Sequence, residues 1–174
     1  MRPLIRSFKE SDFDAICLLE QGGKGSPYSS AVFIRQATII FSPWFSVAEG
    51  EGDVLGYGIG ALNQQNQDEG WILRLRVGER WQGQGIGRLL LDGLVRSLND
   101  AGAARILLSV SPDNYRALQL YQNYGFSEVD FISRYFGTGE DRLIMQLKSV
   151  WKQDKSNINP FSRRGREQEG SLQG

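Results

Sequence analysis

The chain has 174 residues, 40% hydrophobic and 23% charged, with 20 Lys and Arg balancing 20 Asp and Glu. That is length enough for one domain with its own core, without the positive excess that a nucleic-acid surface needs. It contains no histidine and one cysteine, which excludes intrachain disulfides, thiolate metal clusters and Ser-His or Cys-His machinery. No run of apolar residues is long enough for a transmembrane helix, and the opening MRPLIRSFKESD is too charged for a signal peptide. A cytoplasmic protein with no membrane or nucleic-acid partner and no metal is therefore expected.

In chain order, Leu4–Arg6 reads as a short strand. Ser11 and Asp14 suggest a capping box opening a helix whose apolar side carries Phe13, Ile16, Cys17 and Leu19. Cys17 is expected to be a packing residue there. Gln21–Ser30 reads as a loop and Ala31–Phe41 as a second helix, although its Ile-rich end also suits a strand. Strands follow at Trp44–Ala48 and Val54–Leu62, joined by the hairpin turn EGEGD, then a polar loop at Asn63–Asp68. In the next strand, Trp71–Val77, alternation sets Trp71, Leu73, Leu75 and Val77 against Ile72, Arg74 and Arg76.

The period then changes. Ile86, Leu89, Leu90, Gly93, Leu94 and Leu98 recur at helical intervals, and Ala101-Gly102 ends the run. Arg105–Val110 is a strand, and Pro112-Asp113-Asn114 turns the chain into a helix that stops at Gly125. Two last strands run over Phe126–Tyr135 and Arg142–Leu147. Together these elements suggest one mixed sheet with helices on both faces, an α/β single domain over residues 1–151. Residues 152–174 carry five basic and three acidic residues and almost nothing apolar, and read as a solvated, disordered tail.

The segment with the most chemistry is VGERWQGQGIGR, from Val77 to Arg88. A strand ends, glycines remove side chains from a turn, and an amphipathic helix begins at once. Backbone N–H groups of such a turn and first helical turn converge with the helix dipole on one point, which suits a pyrophosphate. The Walker pattern is absent. A dinucleotide site fits poorly, because the glycines follow several strands and Asn99-Asp100 falls at a helix end rather than on a ribose-binding strand.

Two motifs in order resemble the GCN5-related N-acetyltransferase (GNAT) superfamily. Gln82, Gly83, Gln84, Gly85, Ile86 and Gly87 match its pattern Q/R-x-x-G-x-G/A, and Asn114, Ala117, Leu120, Tyr121, Gly125 and Phe126 match N-x-x-A-x-x-L-Y-x-x-x-G-F. The resemblance, which covers nearly all of Leu4–Leu147, implies a mixed, mostly antiparallel sheet of about seven strands, splayed at an acetyl-CoA site. It implies that backbone N–H groups of Gly83, Gln84, Gly85, Ile86, Gly87 and Arg88 hold the pyrophosphate. It further implies that Leu75, Arg76 and Val77 pair with the pantetheine arm, that Asn114 contacts the cofactor, and that Tyr121 faces the departing sulfur.

Within the superfamily the chain is similar to RimI-like enzymes, which acetylate N-terminal amines of ribosomal and other proteins, through Arg134-Tyr135-Phe136, Gly139-Glu140-Asp141 and Met145. It departs from them in carrying Ser109 where they have a glutamate base. Glu69 is the replacement suggested by the residues, taking the amine's proton through water, with a solvated loop charge as the alternative. Glu140 and Asp141 are either holders of an acceptor ammonium or turn residues. The implied reaction is direct transfer from acetyl-CoA to a primary amine, with a protein or peptide N-terminus as acceptor. The alternatives are a small-molecule amine (polyamine, amino acid or aminoglycoside-like) and a non-catalytic CoA-binding module. An open groove would favour a peptide and a closed acidic pocket a small cation. The sequence leaves the oligomeric state open.

Overall fold

The computed structural model describes residues 3–21 and 26–148, so the tail expected at 152–174 lies outside the described residues. Seven strands of the described residues form one sheet: β1 (Leu4–Ser7), β2 (Phe45–Gly50), β3 (Asp53–Asn63), β4 (Asn66–Val77), β5 (Arg105–Val110), β6 (Ser127–Ile132) and β7 (Arg142–Lys148). Their order is β1-β2-β3-β4-β5-β7-β6, antiparallel throughout except for the parallel pair β4–β5. Among the described residues four α-helices accompany them: α1 (Phe13–Glu20), α2 (Pro27–Ile40), α3 (Ile86–Asp100) and α4 (Tyr115–Tyr124). Among the described residues no helix is long and apolar enough to cross a membrane.

The helices divide between the two faces, as the pattern of strands and helices implied. On one face Ile16 of α1 with Ile34 and Ala37 of α2 pack on Phe45, Val47, Tyr57 and Ile59, and half-buried Cys17 joins this cluster as a packing residue. On the other, α3 and α4 cover the sheet through Leu91, Leu94, Leu98 and Tyr121 against Ile72, Ile106, Leu108 and Met145. Close approach of α3 depends on glycines in β3: a Cβ on Gly58 would lie 2.7 Å from Leu94 Cδ1. Leu90, Leu94 and Leu98 are fully buried, each contributing about 1.5–3 kcal/mol by leaving water.

Several boundaries differ from the sequence reading, each for a local reason. Helix α1 is entered without the Ser11–Asp14 capping box. Asp12 instead accepts the Lys9 N–H at 2.8 Å and both Arg6 Nη1 (2.7 Å) and Nη2 (2.9 Å), fixing a 3-10 turn ahead of the helix. Helix α2 begins earlier, at Pro27, because Ser26 Oγ caps it by accepting the Ser29 N–H at 3.1 Å and proline suits the first helical position. The expected loop Asn63–Asp68 is mostly strand. Asn63 pairs with Asn66, and polar side chains at this hairpin end reach solvent while the backbone keeps its ladder. In α3, Leu89 is 39% exposed, whereas Leu91 and Val95 are buried.

The alternation of β4 is also broken. Ile59 faces Arg74 but Gly60 faces Ile72, so Leu73 is the extra residue of a β-bulge. Above it, Arg74 and Arg76 share the α1–α2 face with Ile59 and Tyr57. Below it, Ile72 turns to the α3 face and packs with Leu94 and Leu98.

Candidate active site

The bulge at Leu73 coincides with a parting of the sheet. Parallel pairing of β4 with β5 runs from Glu69–Arg105 to Ile72–Leu108 and stops there. Beyond that point the two strands enclose a cleft of about 1,220 Å³ walled by Leu73–Val77 on one side and Ser109–Ser111 on the other. It continues to the glycine-rich turn and is also bordered by Leu18, Leu19, Val54 and Phe136.

The turn is built by backbone geometry. Residues Glu79–Trp81 make one 3-10 turn, closed by Trp81 N–H to Gly78 O at 2.8 Å. Gly83 and Gly85 then take left-handed φ values of 79° and 81°, with nothing within 4 Å of where their Cβ atoms would be. The inner surface of the turn is therefore bare. Leu89 N–H closes the first turn of α3 on Gly85 O at 3.1 Å, so the N–H groups of Ile86, Gly87 and Arg88 precede the first intrahelical bond. Converging donors, a helix N-terminus and open space above them fit a pyrophosphate. Gly87 serves packing: its Cβ would touch Leu120 Cδ2 of α4 at 3.4 Å. The Gln82 amide donates to Val77 O at 3.1 Å and accepts from Arg116, tying the end of β4 to α4.

From α4, Asn114 and Tyr121 line the same cleft. Asn114 caps the helix, its Oδ1 accepting the Ala117 N–H at 3.2 Å. Tyr121 is 8% exposed and packs on Phe126 with ring centroids 5.8 Å apart. Burial pushes its hydroxyl pKa up to about 12, so it stays protonated at neutral pH.

Of the residues singled out in the sequence, the structure thus gathers Leu75, Arg76, Val77, Gln82, Gly83, Gly85, Gly87, Arg88, Asn114 and Tyr121 around one cleft. Two members of the turn direct their side chains elsewhere. Gln84 donates to Arg80 O at 3.2 Å, and Ile86 is buried in the core with Leu90.

Glu69 is not brought to the cleft. It sits near the other end of β4, opposite Arg105. Its Oε1 accepts from Asn63 Nδ2 (3.0 Å) and Trp71 Nε1 (2.6 Å), and its Oε2 accepts from Arg105 Nε (3.1 Å) and Nη2 (3.0 Å). Burial works to raise its pKa, but the hydrogen bonds from Asn63, Trp71 and Arg105 outweigh it, and the net shift is downward. A carboxylate so held is a weak base, and the proposed relay is set aside. Asp141 accepts the Arg134 N–H at 2.8 Å, and Glu140 pairs with Arg142 at 3.0 Å, so both shape the connection from β6 to β7.

The sequence reading missed one buried group. Glu20, the last residue of α1, is 4% exposed and accepts a 2.5 Å hydrogen bond from the Tyr57 hydroxyl. Arg74 Nη2 and Arg76 Nε lie 3.2 and 3.7 Å from its two oxygens. A glutamate closing an apolar helix and two arginines alternating on a strand were the available signal.

Comparison with known proteins decides what the cleft belongs to. The pattern of the acetyltransferase (GNAT) family matches residues 13–126. The chain is a member of the GNAT family. It is 31% identical over 146 residues to an uncharacterized N-acetyltransferase of Methanocaldococcus jannaschii, covering 83% of this chain and 91% of that one. It is 29% identical to the ribosomal protein bS18-alanine N-acetyltransferase of Escherichia coli, covering 82% and 95% of the two chains. The crystal structure of Ard1 from Thermoplasma volcanium superposes with a TM-score of 0.78 at 23% identity, over 87% of this chain and all (100%) of that one, which shows the shared fold. As a GNAT member the chain is an acyltransferase, an acetyl-CoA-dependent N-acetyltransferase.

Proposed function

We propose that this GNAT enzyme acetylates the N-terminal amine of a protein or peptide by direct transfer within a ternary complex. The observation that carries this reading is the charge of the cleft. Among the described residues its lining holds six arginines (Arg74, Arg76, Arg80, Arg88, Arg116 and Arg142) and one carboxylate, Glu79, on the turn after β4. Glu20 behind Arg74 and Arg76, Glu140 beside Arg142 and Asp53 beside Arg80 balance part of this charge, and the excess that remains disfavours a polyamine or aminoglycoside and lowers the pKa of an amine that enters. At the place where RimI-like enzymes carry a glutamate base stands Ser109, which cannot accept a proton from an ammonium.

An acceptor that arrives already neutral suits this cleft. An α-amine with a pKa of about 7.7–8.0 is roughly one-third neutral at pH 7.5, whereas a lysine-like amine near 10.4 is neutral in about one molecule per thousand. The cleft therefore favours the α-amine chemically as well as electrostatically. Bound acetyl-CoA supplies the reactive thioester. The N–H groups of Ile86, Gly87 and Arg88, with the bare turn at Gly83 and Gly85, hold its pyrophosphate; Leu75–Val77 and Asn114 contact the pantetheine arm. Tyr121 donates a hydrogen bond to the departing sulfur. The amine's proton leaves through water in the open cleft.

The test is CoA release from acetyl-CoA with short N-terminal peptides and with spermidine at equal concentration, followed from pH 6 to 9. The reading expects peptide turnover to rise with pH and level off near the α-amine pKa. Efficient turnover of spermidine with unmodified peptides would overturn it.

A further inference from the structure

The arginines of the cleft fall into two groups. Arg80, Arg88 and Arg116 surround the glycine-rich turn: Arg80 is on the preceding 3-10 turn, Arg88 is in the first turn of α3, and Arg116 bonds to Gln82. Arg74 and Arg76 stand apart from them. They project from β4 on the α1–α2 face, on either side of Leu75, with their side chains 43% and 29% exposed. The guanidinium of Arg74 lies 5.3 Å from the Phe33 ring centroid of α2, which limits its motion.

Glu20 alone does not account for the pair. Its Oε1 accepts the Tyr57 hydroxyl at 2.5 Å, and Arg74 reaches Oε2 at 3.2 Å. Arg76 Nε lies 3.7 Å from Oε1, too far for a hydrogen bond. Two guanidinium groups thus share one buried carboxylate, leaving a net positive charge and several planar N–H donors on the cleft wall. The third arginine at this end, Arg142, is paired with Glu140 and stacked over Phe136 at 4.9 Å. Paired guanidinium donors on a half-exposed wall match a carboxylate in geometry and charge.

We infer that Arg74 and Arg76, held from behind by Glu20 and Tyr57, select acceptors that carry a carboxylate within a residue or two of the reacting amine. This rests on the reading of the acceptor as a peptide N-terminus. The carboxylate then belongs to an acidic side chain at the first or second position, since an extended chain advances about 3.3–3.6 Å per residue. The same wall disfavours a lysine or arginine there.

The test uses three peptides identical except at the second residue, which is Asp, Asn or Lys, together with free aspartate, at saturating acetyl-CoA. The expected order of kcat/KM is Asp over Asn by about fivefold, with Lys last, and the Asp advantage shrinks as salt is added. Arg74→Gln and Arg76→Gln should each bring the Asp-to-Asn ratio toward one. A ratio taken within one variant is insensitive to partial loss of folded protein, since that lowers both rates equally. Equal use of Asp and Asn peptides by the unaltered enzyme would overturn the inference while leaving the N-terminal reading intact. An Asp-to-Asn ratio unmoved by either substitution would also overturn it. Free aspartate turning over faster than every peptide would assign the carboxylate to a small molecule and overturn the peptide source. No turnover of any peptide would remove the reading and the inference together.

Discussion

Replacing Tyr121 with Phe removes one hydroxyl from the cleft and leaves the ring packed on Phe126 at 5.8 Å. The magnitude follows from the burial of the side chain. With its pKa at about 12, the hydroxyl is a poor proton donor to a thiolate whose reference value is about 8.5. Full transfer would be uphill by roughly 3.5 units, on the order of 5 kcal/mol, although the same desolvation raises the thiolate and narrows the gap. A hydrogen bond to the developing charge is the cheaper service, and such charge-assisted bonds contribute about 1.5–3 kcal/mol. The chemical step in Tyr121→Phe should slow about 10- to 150-fold. Acetyl-CoA affinity and melting temperature should hardly change. Rapid-quench single-turnover measurement is the appropriate assay, because product release can hide a slowed chemical step in kcat. Since the group stays protonated until about pH 12, the substitution should not remove a titration from the rate profile between pH 6 and 9. An unchanged single-turnover rate would refute the donor role and leave Tyr121 as a wall of the cleft.

Gly85→Val forces a β-branched residue into φ 81°, and should destabilise the fold by about 1–3 kcal/mol and weaken acetyl-CoA binding in calorimetry; full-affinity binding would contradict the turn as the pyrophosphate cradle. Glu69→Gln should leave turnover near neutral pH unaltered while lowering the melting temperature through loss of the Arg105 pair; a large fall in the chemical rate would restore the proton relay. Asp12 has its pKa lowered, because hydrogen bonds from Arg6 and the Lys9 N–H outweigh the upward push of burial. Its contribution to stability is complete above the unfolded pKa near about 3.9 and is lost as pH falls through the lower folded value. Asp12→Asn should accordingly flatten the acid limb of stability below about pH 4 in denaturant titrations, and an unaltered limb would contradict the assignment.

Much of the proposed donor side was legible because its chemistry is local in sequence. A strand, a turn with glycines at left-handed φ and a helix N-terminus lie within Val77–Arg88, and Asn114 and Tyr121 fall two turns apart on one helix. The proposed acceptor side was less legible because it is assembled by tertiary contacts. Glu20 meets Arg74 and Arg76 across more than fifty residues of chain, a pairing that no spacing announces. The bulge at Leu73 was equally hidden. Strict alternation placed Trp71 with Leu75 and Val77, but one extra residue turns Ile72 to that face instead. Glu69 misled for the same reason. Its proximity to Trp71 is real, a 2.6 Å hydrogen bond, yet both lie below the bulge, at the end of β4 where the sheet is still closed.

The central claim is that a cationic cleft with Ser109 in place of a base selects an amine that is already neutral. One peptide bearing both a free N-terminus and an internal lysine tests it most directly. After incubation with acetyl-CoA at pH 7.5, fragmentation mass spectrometry reads which nitrogen carries the acetyl group. The account expects modification of the α-amine in large excess over the side chain, in line with the roughly 200- to 300-fold difference in neutral amine. Acetylation of the lysine side chain in preference to the N-terminus would contradict it.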